Sequence, residues 1–168
     1  MIFGGLQKQT LIDFPGKISC VLFTSGCNFR CPYCHNPDLV RGQNKQSVAL
    51  SEERIYNFLE KRRGFLDGVV ISGGEPTLHN DLSSICQNIK EMGYPIKLDT
   101  NGSRPEILTQ LIHDGHIDFI AMILKQTRRP IHAIFYTMRI RKVSLKASLS
   151  SCPPTSYTSS AQHVSYPL

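Results

Sequence analysis

Three cysteines spaced C-x3-C-x2-C, Cys27, Cys31 and Cys34 in the string TSGCNFRCPYCHNP, are the residues of this chain best suited to chemistry. Three thiolates on one short loop can grip three irons of a cubane [4Fe–4S] cluster, and most such clusters take four cysteine ligands. Without a fourth, one iron keeps an open position where a small molecule can bind and react. Zinc is the competing reading, because His35 would complete a closed Cys3His tetrahedron. Adjacent Cys34 and His35 would strain to reach one ion, and zinc ligands usually come as two separated pairs, so the cluster is preferred. A disulfide among the three would leave one thiol over.

Gly73-Gly74-Glu75-Pro76 is the second group. Alone it is a glycine-rich turn with an acid. Two glycines let backbone approach a ligand closely, and Glu75 can accept bonds from a cationic amine. Asp99-Thr100-Asn101 closes another apolar run, and Asp13 opens the turn Phe14-Pro15-Gly16. A cap or turn role accounts for either aspartate without function.

Alternating strands and helices must position these groups. Ile18–Phe23 reads as the first strand, with the cysteine loop at its carboxyl end. Ser51 caps a helix with Glu52 and Glu53 in its first turn, stopped at Arg62-Arg63-Gly64. Val69–Ser72 is the second strand, leading into Gly73–Pro76. Asn80 or Asp81 opens a helix with Leu82, Ile85, Cys86, Ile89 and Met92 on one face, ended by Gly93. Ile96–Asp99 is the third strand. Ser103 and Glu106 predict a capping box with Pro105 near the helix start, and Phe119–Leu124 is the fourth strand. This alternation predicts an α/β fold with a parallel sheet, its suggestive residues after the carboxyl ends of strands, where such folds place their sites.

Taken together the motifs resemble the radical S-adenosylmethionine (SAM) superfamily. The C-x3-C-x2-C triplet with Tyr33 before its last cysteine is similar to that family's cluster loop, and Gly73–Pro76 to the loop that holds the SAM amino group. The resemblance implies a partial (β/α) TIM-like barrel of about four βα units over residues 1–125. It implies Cys27, Cys31 and Cys34 as cluster ligands, with SAM chelating the open iron. Tyr33 and His35 would flank the adenine, and Gly73, Gly74, Glu75, Pro76, Asp99, Thr100 and Asn101 would contact SAM or a nearby cation. The opening GGLQKQTLIDFPGK and the string CNFRCPYCHNPDL are similar to the activating enzymes of glycyl-radical proteins, above all the group that activates anaerobic ribonucleoside-triphosphate reductase. That implies reductive SAM cleavage, a glycyl radical made on the reductase near Asp13, and flavodoxin or ferredoxin as electron donor. The alternatives are activation of another glycyl-radical protein such as pyruvate formate-lyase, a non-enzymatic metal module, and a truncated, inactive iron–sulfur fragment.

The resemblance stops near Lys125. Relatives read M-D-[LI]-K at the fourth strand, whereas this chain reads Met122-Ile123-Leu124-Lys125 and lacks that carboxylate. Residues 1–118 carry 12 Lys+Arg and 13 Asp+Glu, while residues 119–168 carry 7 Lys+Arg and no acid, and no glycine follows Gly115. The net charge of +6 therefore belongs to the tail, which argues against nucleic-acid binding by the core. Residues 126–168 read as an atypical basic, Ser/Pro-rich segment, poorly ordered over its last thirty residues, although Ile131–Ile140 has strand character. A frameshift near codon 123 would leave this composition; an intact frame through residues 123–168 on resequencing would sink that idea. The first twenty residues lack the pattern of a secretory signal, no apolar run spans a membrane, and six cysteines point to metal or redox chemistry, so a cytoplasmic setting is expected. Cys20 and Cys86 read as core residues and Cys152 as a tail thiol, while His79, His113 and His116 receive no catalytic role.

Overall fold

Near-continuous apolar runs at Cys20–Phe23, Val69–Ile71 and Phe119–Leu124 make strands that can be buried on both faces, as parallel strands must be. The computed structural model describes residues 1–32, 34–41, 50–125 and 133–139. In it β2 (Ser19–Thr24), β3 (Gly68–Gly73), β4 (Ile96–Thr100) and β5 (Phe119–Lys125) lie parallel in that order. Helices α1 (Pro37–Val40), α2 (Glu52–Glu60), α3 (Leu82–Glu91) and α4 (Pro105–His113) fill the crossovers. Two further strands flank this block, each antiparallel to its neighbour: β1 (Phe3–Thr10) beside β2, and β6 (Ala133–Arg139) beside β5. The sheet therefore runs β1-β2-β3-β4-β5-β6, in chain order. This is the incomplete (β/α) barrel expected of the sequence.

Strand β1 was not anticipated. Its sequence FGGLQKQT has two glycines and a polar run, and its strand character comes from pairing with β2, as Leu6 with Leu22 and Gln7 with Val21. In the tail, Ala133–Arg139 does form a strand, within the Ile131–Ile140 expectation. The poorly ordered stretch expected at the end of the chain lies outside the described residues.

The helices supply one wall. Ile55, Leu59, Leu82, Ile85, Ile89 and Leu111 pack on Cys20, Leu22, Val69, Ile71, Ile96 and Leu98, all essentially buried. Ser51 caps α2 as expected, its hydroxyl accepting from Arg54 N at 3.3 Å, and Gly93 ends α3 with φ +90°. The capping box at α4 does not form. Arg104 occupies the cap position, its Nε takes Glu106 Oε1 at 2.5 Å, and the Ser103 hydroxyl accepts from Asn28 at 2.8 Å instead. Asp81 stands before α3 without a side-chain capping bond.

The opposite sheet face carries the alternate residues. A small apolar cluster forms around Phe14, Val21 and Val70, with Phe14 set edge-on to Phe119 at a centroid distance of 5.0 Å. On β4 this face is polar, presenting Lys97 and Asp99.

Candidate functional site

Three loops leave the carboxyl ends of β2, β3 and β4 side by side, and backbone bonds lock them together. After β2, Ser25 N donates to Ile2 O at 2.9 Å and Gly26 N to Leu39 O at 2.8 Å, so both ends of the cysteine loop are held. After β3, Gly74 N donates to Thr24 O and Glu75 N to Gly26 O, each at 2.8 Å. The glycines make this approach possible. A Cβ on Gly74 would stand 1.9 Å from Gly26 O, and one on Gly73, whose φ is +109°, would stand 2.5 Å from Thr24 N. What comes close to these glycines is the backbone of the cysteine loop.

Glu75 is fully buried. Its Oε1 accepts from Thr77 N at 3.1 Å, Thr77 Oγ1 at 2.6 Å and Thr100 Oγ1 at 2.7 Å, and its Oε2 accepts from Asn101 N at 2.6 Å. One carboxylate thus ties the exit of β3 to the exit of β4. Pro76, also buried, starts a single 3-10 turn, Pro76–Leu78. All four donors are neutral, so the bonds fix the carboxylate without cancelling its charge.

Asn101 extends the tie to the cysteines. Its side-chain Nδ2 lies 2.9 Å from Asn28 Oδ1 and 3.8 Å from Cys27 Sγ. Cys27, Cys31 and Cys34 line one cavity of about 510 Å³ with Arg30 and Arg41, a size within the range of roughly 300–1,000 Å³ usual for small-molecule sites. None of the described cysteines is disulfide-bonded. Among the described residues no three His, Cys, Asp or Glu side chains stand close enough together to hold a metal ion. The loop brings the three thiols to a common cavity, and a cubane cluster takes each of them on a separate iron, so they need not converge on one point. Three soft thiolate donors beside two guanidinium groups fit an iron–sulfur cluster by their chemistry.

The remaining candidates fall into place around this rim. Asp99 lies on the inner face of β4, where the Lys97 ammonium pairs with it and the Ser72 hydroxyl donates to it. Burial holds its carboxyl above the ordinary carboxylate range, against the pull of Lys97 and Ser72, and the charge of Asp13 adds to the rise. Asp13 therefore shares the inner face with Asp99, although its loop joins the far end of β2 from the cysteines. Its Oδ2 accepts from Thr10 Oγ1 at 2.5 Å, and the turn behind it closes with Lys17 N donating to Phe14 O at 3.1 Å. His35 is exposed, and Tyr33 lies outside the described residues. Burial pushes the Cys20 and Cys86 thiols up to about 12, in keeping with their place in the core.

Sequence reasoning did not single out Asn28, Thr77 or Lys97, read Ser103 only as a helix cap, and gave His79 no role. His79 Nε2 meets Ser25 O at 3.1 Å, so it braces the start of the cysteine loop. Asn28 stood inside the cysteine motif, but its partners Asn101 and Ser103 are more than seventy positions away.

The family comparison agrees with this geometry. Residues 21–152 match the model of the Radical SAM superfamily. The chain is 40% identical over 125 residues to the "Putative glycyl-radical enzyme activating enzyme MJ1227" of Methanocaldococcus jannaschii, covering 74% of this chain and 50% of that one. It is 36% identical to the "Probable GTP 3',8-cyclase" of Saccharolobus solfataricus, over 65% of this chain and 35% of the other. It is also 36% identical to the pyruvate formate-lyase-activating enzyme of Streptococcus mutans, over 53% of this chain and 35% of the other. The chain spans half or less of the length of these relatives, whose names cover different reactions. No helix among the described residues is long and apolar enough to cross a membrane. The chain belongs to the radical SAM superfamily, whose cofactors are a [4Fe–4S] cluster and S-adenosylmethionine.

Proposed function

We propose that this chain is a radical SAM activating enzyme that generates a glycyl radical on anaerobic ribonucleoside-triphosphate reductase. Cys27, Cys31 and Cys34 hold the cluster, and Gly73–Pro76 with Asp99–Asn101 receive SAM. When bound, a reduced cluster and SAM would supply one-electron chemistry, with methionine as the leaving group, able to remove a hydrogen atom from a glycine of the partner. The observation that supports the reading is the locking of the Gly73–Glu75 loop onto Thr24 and Gly26 at the base of the cysteine loop, which brings the glycine loop and the three cysteines to one end of the sheet.

The residues of this chain do the binding and shielding. The uncancelled charge of Glu75 favours a cationic amine at the rim, and Oε2, with one bond, has capacity left for it. Gly73 and Gly74 seat their loop directly on the base of the cysteine loop, and SAM would lie along the rim that the two loops form. Tyr33 and His35 flank the adenine, and Asp13 on the inner face takes the partner's backbone. Phe14, Val21 and Val70 keep water from that end of the face. The electron comes from flavodoxin or ferredoxin.

Pyruvate formate-lyase is the second target, favoured by the likeness to the Streptococcus mutans enzyme. The test is anaerobic reconstitution with iron and sulfide, followed by SAM and reductant. The reading expects 5′-deoxyadenosine, then a glycyl-radical EPR signal with one partner and not the other. A folded, cluster-loaded chain that yields no 5′-deoxyadenosine refutes it.

A further inference from the structure

Asn101 is held at its backbone and at one end of its side chain, and the other end faces a cysteine. Its N–H donates to Glu75 Oε2 at 2.6 Å and its Oδ1 accepts from Ser103 N at 2.9 Å. Because a backbone N–H identifies the carbonyl end of the amide, Nδ2 is the end turned toward Cys27 Sγ, at 3.8 Å. The same Nδ2 bonds Asn28 Oδ1 at 2.9 Å, which fixes the rotamer. Glu75 is buried and bound to both β3 and β4 exits, so the donor aimed at Cys27 is referenced to the sheet through its backbone and to Asn28 of the cysteine loop through its amide.

We propose that Asn101 is a positioning residue for the cluster: its side-chain amide donates an N–H···S bond to the Cys27 sulfur and thereby raises the cluster's reduction potential. The proposal deepens the reading above and rests on Cys27 being a ligand. The physical argument is electrostatic. A donor aimed at a coordinating sulfur stabilises the electron-richer reduced cluster more than the oxidised one, and hydrogen bonds to sulfur are among the groups that set such potentials. Sequence alone hides this, because Asn101 stands 74 positions from Cys27.

The full chain, reconstituted anaerobically and titrated with dithionite, tests it. Each cluster takes up one electron from dithionite, and no protein bond forms or breaks. Asn101→Leu removes the donor, while Asn101→Asp keeps an oxygen for Ser103 N but turns a carboxylate toward the sulfur. Both are expected to lower the midpoint at unchanged iron and sulfide content, Asp more than Leu. The expected loss is up to about tenfold in the reduction equilibrium, which is about 59 mV for one electron. Ser103→Ala, which removes the other partner of Asn28, is expected to leave the midpoint in place. Unchanged midpoints in both Asn101 variants overturn the proposal while leaving the ligand assignment intact. An equal shift in Ser103→Ala also overturns it, since that is general loosening of the loop. A wild-type chain that takes up no iron and sulfide refutes the ligand assignment itself, and the proposal falls with it.

Discussion

Glu75 and Asp99 are carboxylates on adjoining parts of the sheet, handled in opposite ways. Glu75 at the rim is fully buried and held by four neutral donors. Asp99 on the inner face keeps some exposure and is paired with the Lys97 ammonium. Neutral donors fix a position and leave the charge in place, whereas an ion pair offsets it. The rim is held by hydrogen-bond geometry, the inner face by a charge pair under burial.

The largest effect expected separates the chemistry of the rim from its frame. Cys31→Ala should lower cluster binding by at least about 100-fold, since losing a partner outside the ligand set alone costs 10–100-fold. Its unfolding in urea, measured without cluster, should barely change because Cys31 lies in the cavity wall and not in the core. A large loss of stability would show that the loop is part of the frame.

Gly74→Ala attacks the frame instead. Its Cβ would meet backbone rather than a movable side chain, so about 3 kcal/mol of stability should be lost. Urea unfolding near wild type would mean the two loops can part. Glu75→Gln comes next, at about 1–3 kcal/mol, because the substituted amide must face one of the present N–H or O–H donors. An unchanged midpoint would remove Glu75 as the fastener between β3 and β4.

Lys97→Met probes the inner face, with an expected loss of about 1–2 kcal/mol near pH 7, between the values for exposed and buried pairs. The pH profile carries the sign. Asp99 keeps its proton to higher pH in the folded chain than in the unfolded one, so between about 3.9 and its raised value the folded state binds more protons. Stability then falls as pH rises through that window, and levels off above it. Removing Lys97 raises the folded value further and carries the fall to higher pH. Urea midpoints taken in steps of pH would detect this, and identical profiles for variant and wild type would sink it.

How much of this was legible in the sequence depended on distance along the chain. The cap at Ser51 and the stop at Gly93 act within a few residues, and both appear as read. The box at Ser103 and Glu106 was also local, but competitors intervened: Arg104 took the glutamate, and Asn28, 75 positions away, took the serine. Strand β1 carried no periodic signal because its partner, not its pattern, makes it a strand. The site residues were visible as types and positions. That Glu75 binds Thr100 and Asn101, and that Gly74 meets the backbone of Gly26, are facts of the assembled sheet, which spacing cannot encode.

The order of strands has a consequence for how the molecule is made. Every strand lies beside the one synthesised before it, from β1 through β6. A chain emerging from the ribosome can therefore add each strand to an edge already in place, without waiting for a distant partner. The cysteine loop emerges after only two strands, and the segment that fastens it, Gly73–Glu75, arrives some forty residues later. Until then its thiols are displayed on an unfinished edge. The interval between β2 and β3 is thus when iron can reach them most freely, and when oxidation can too.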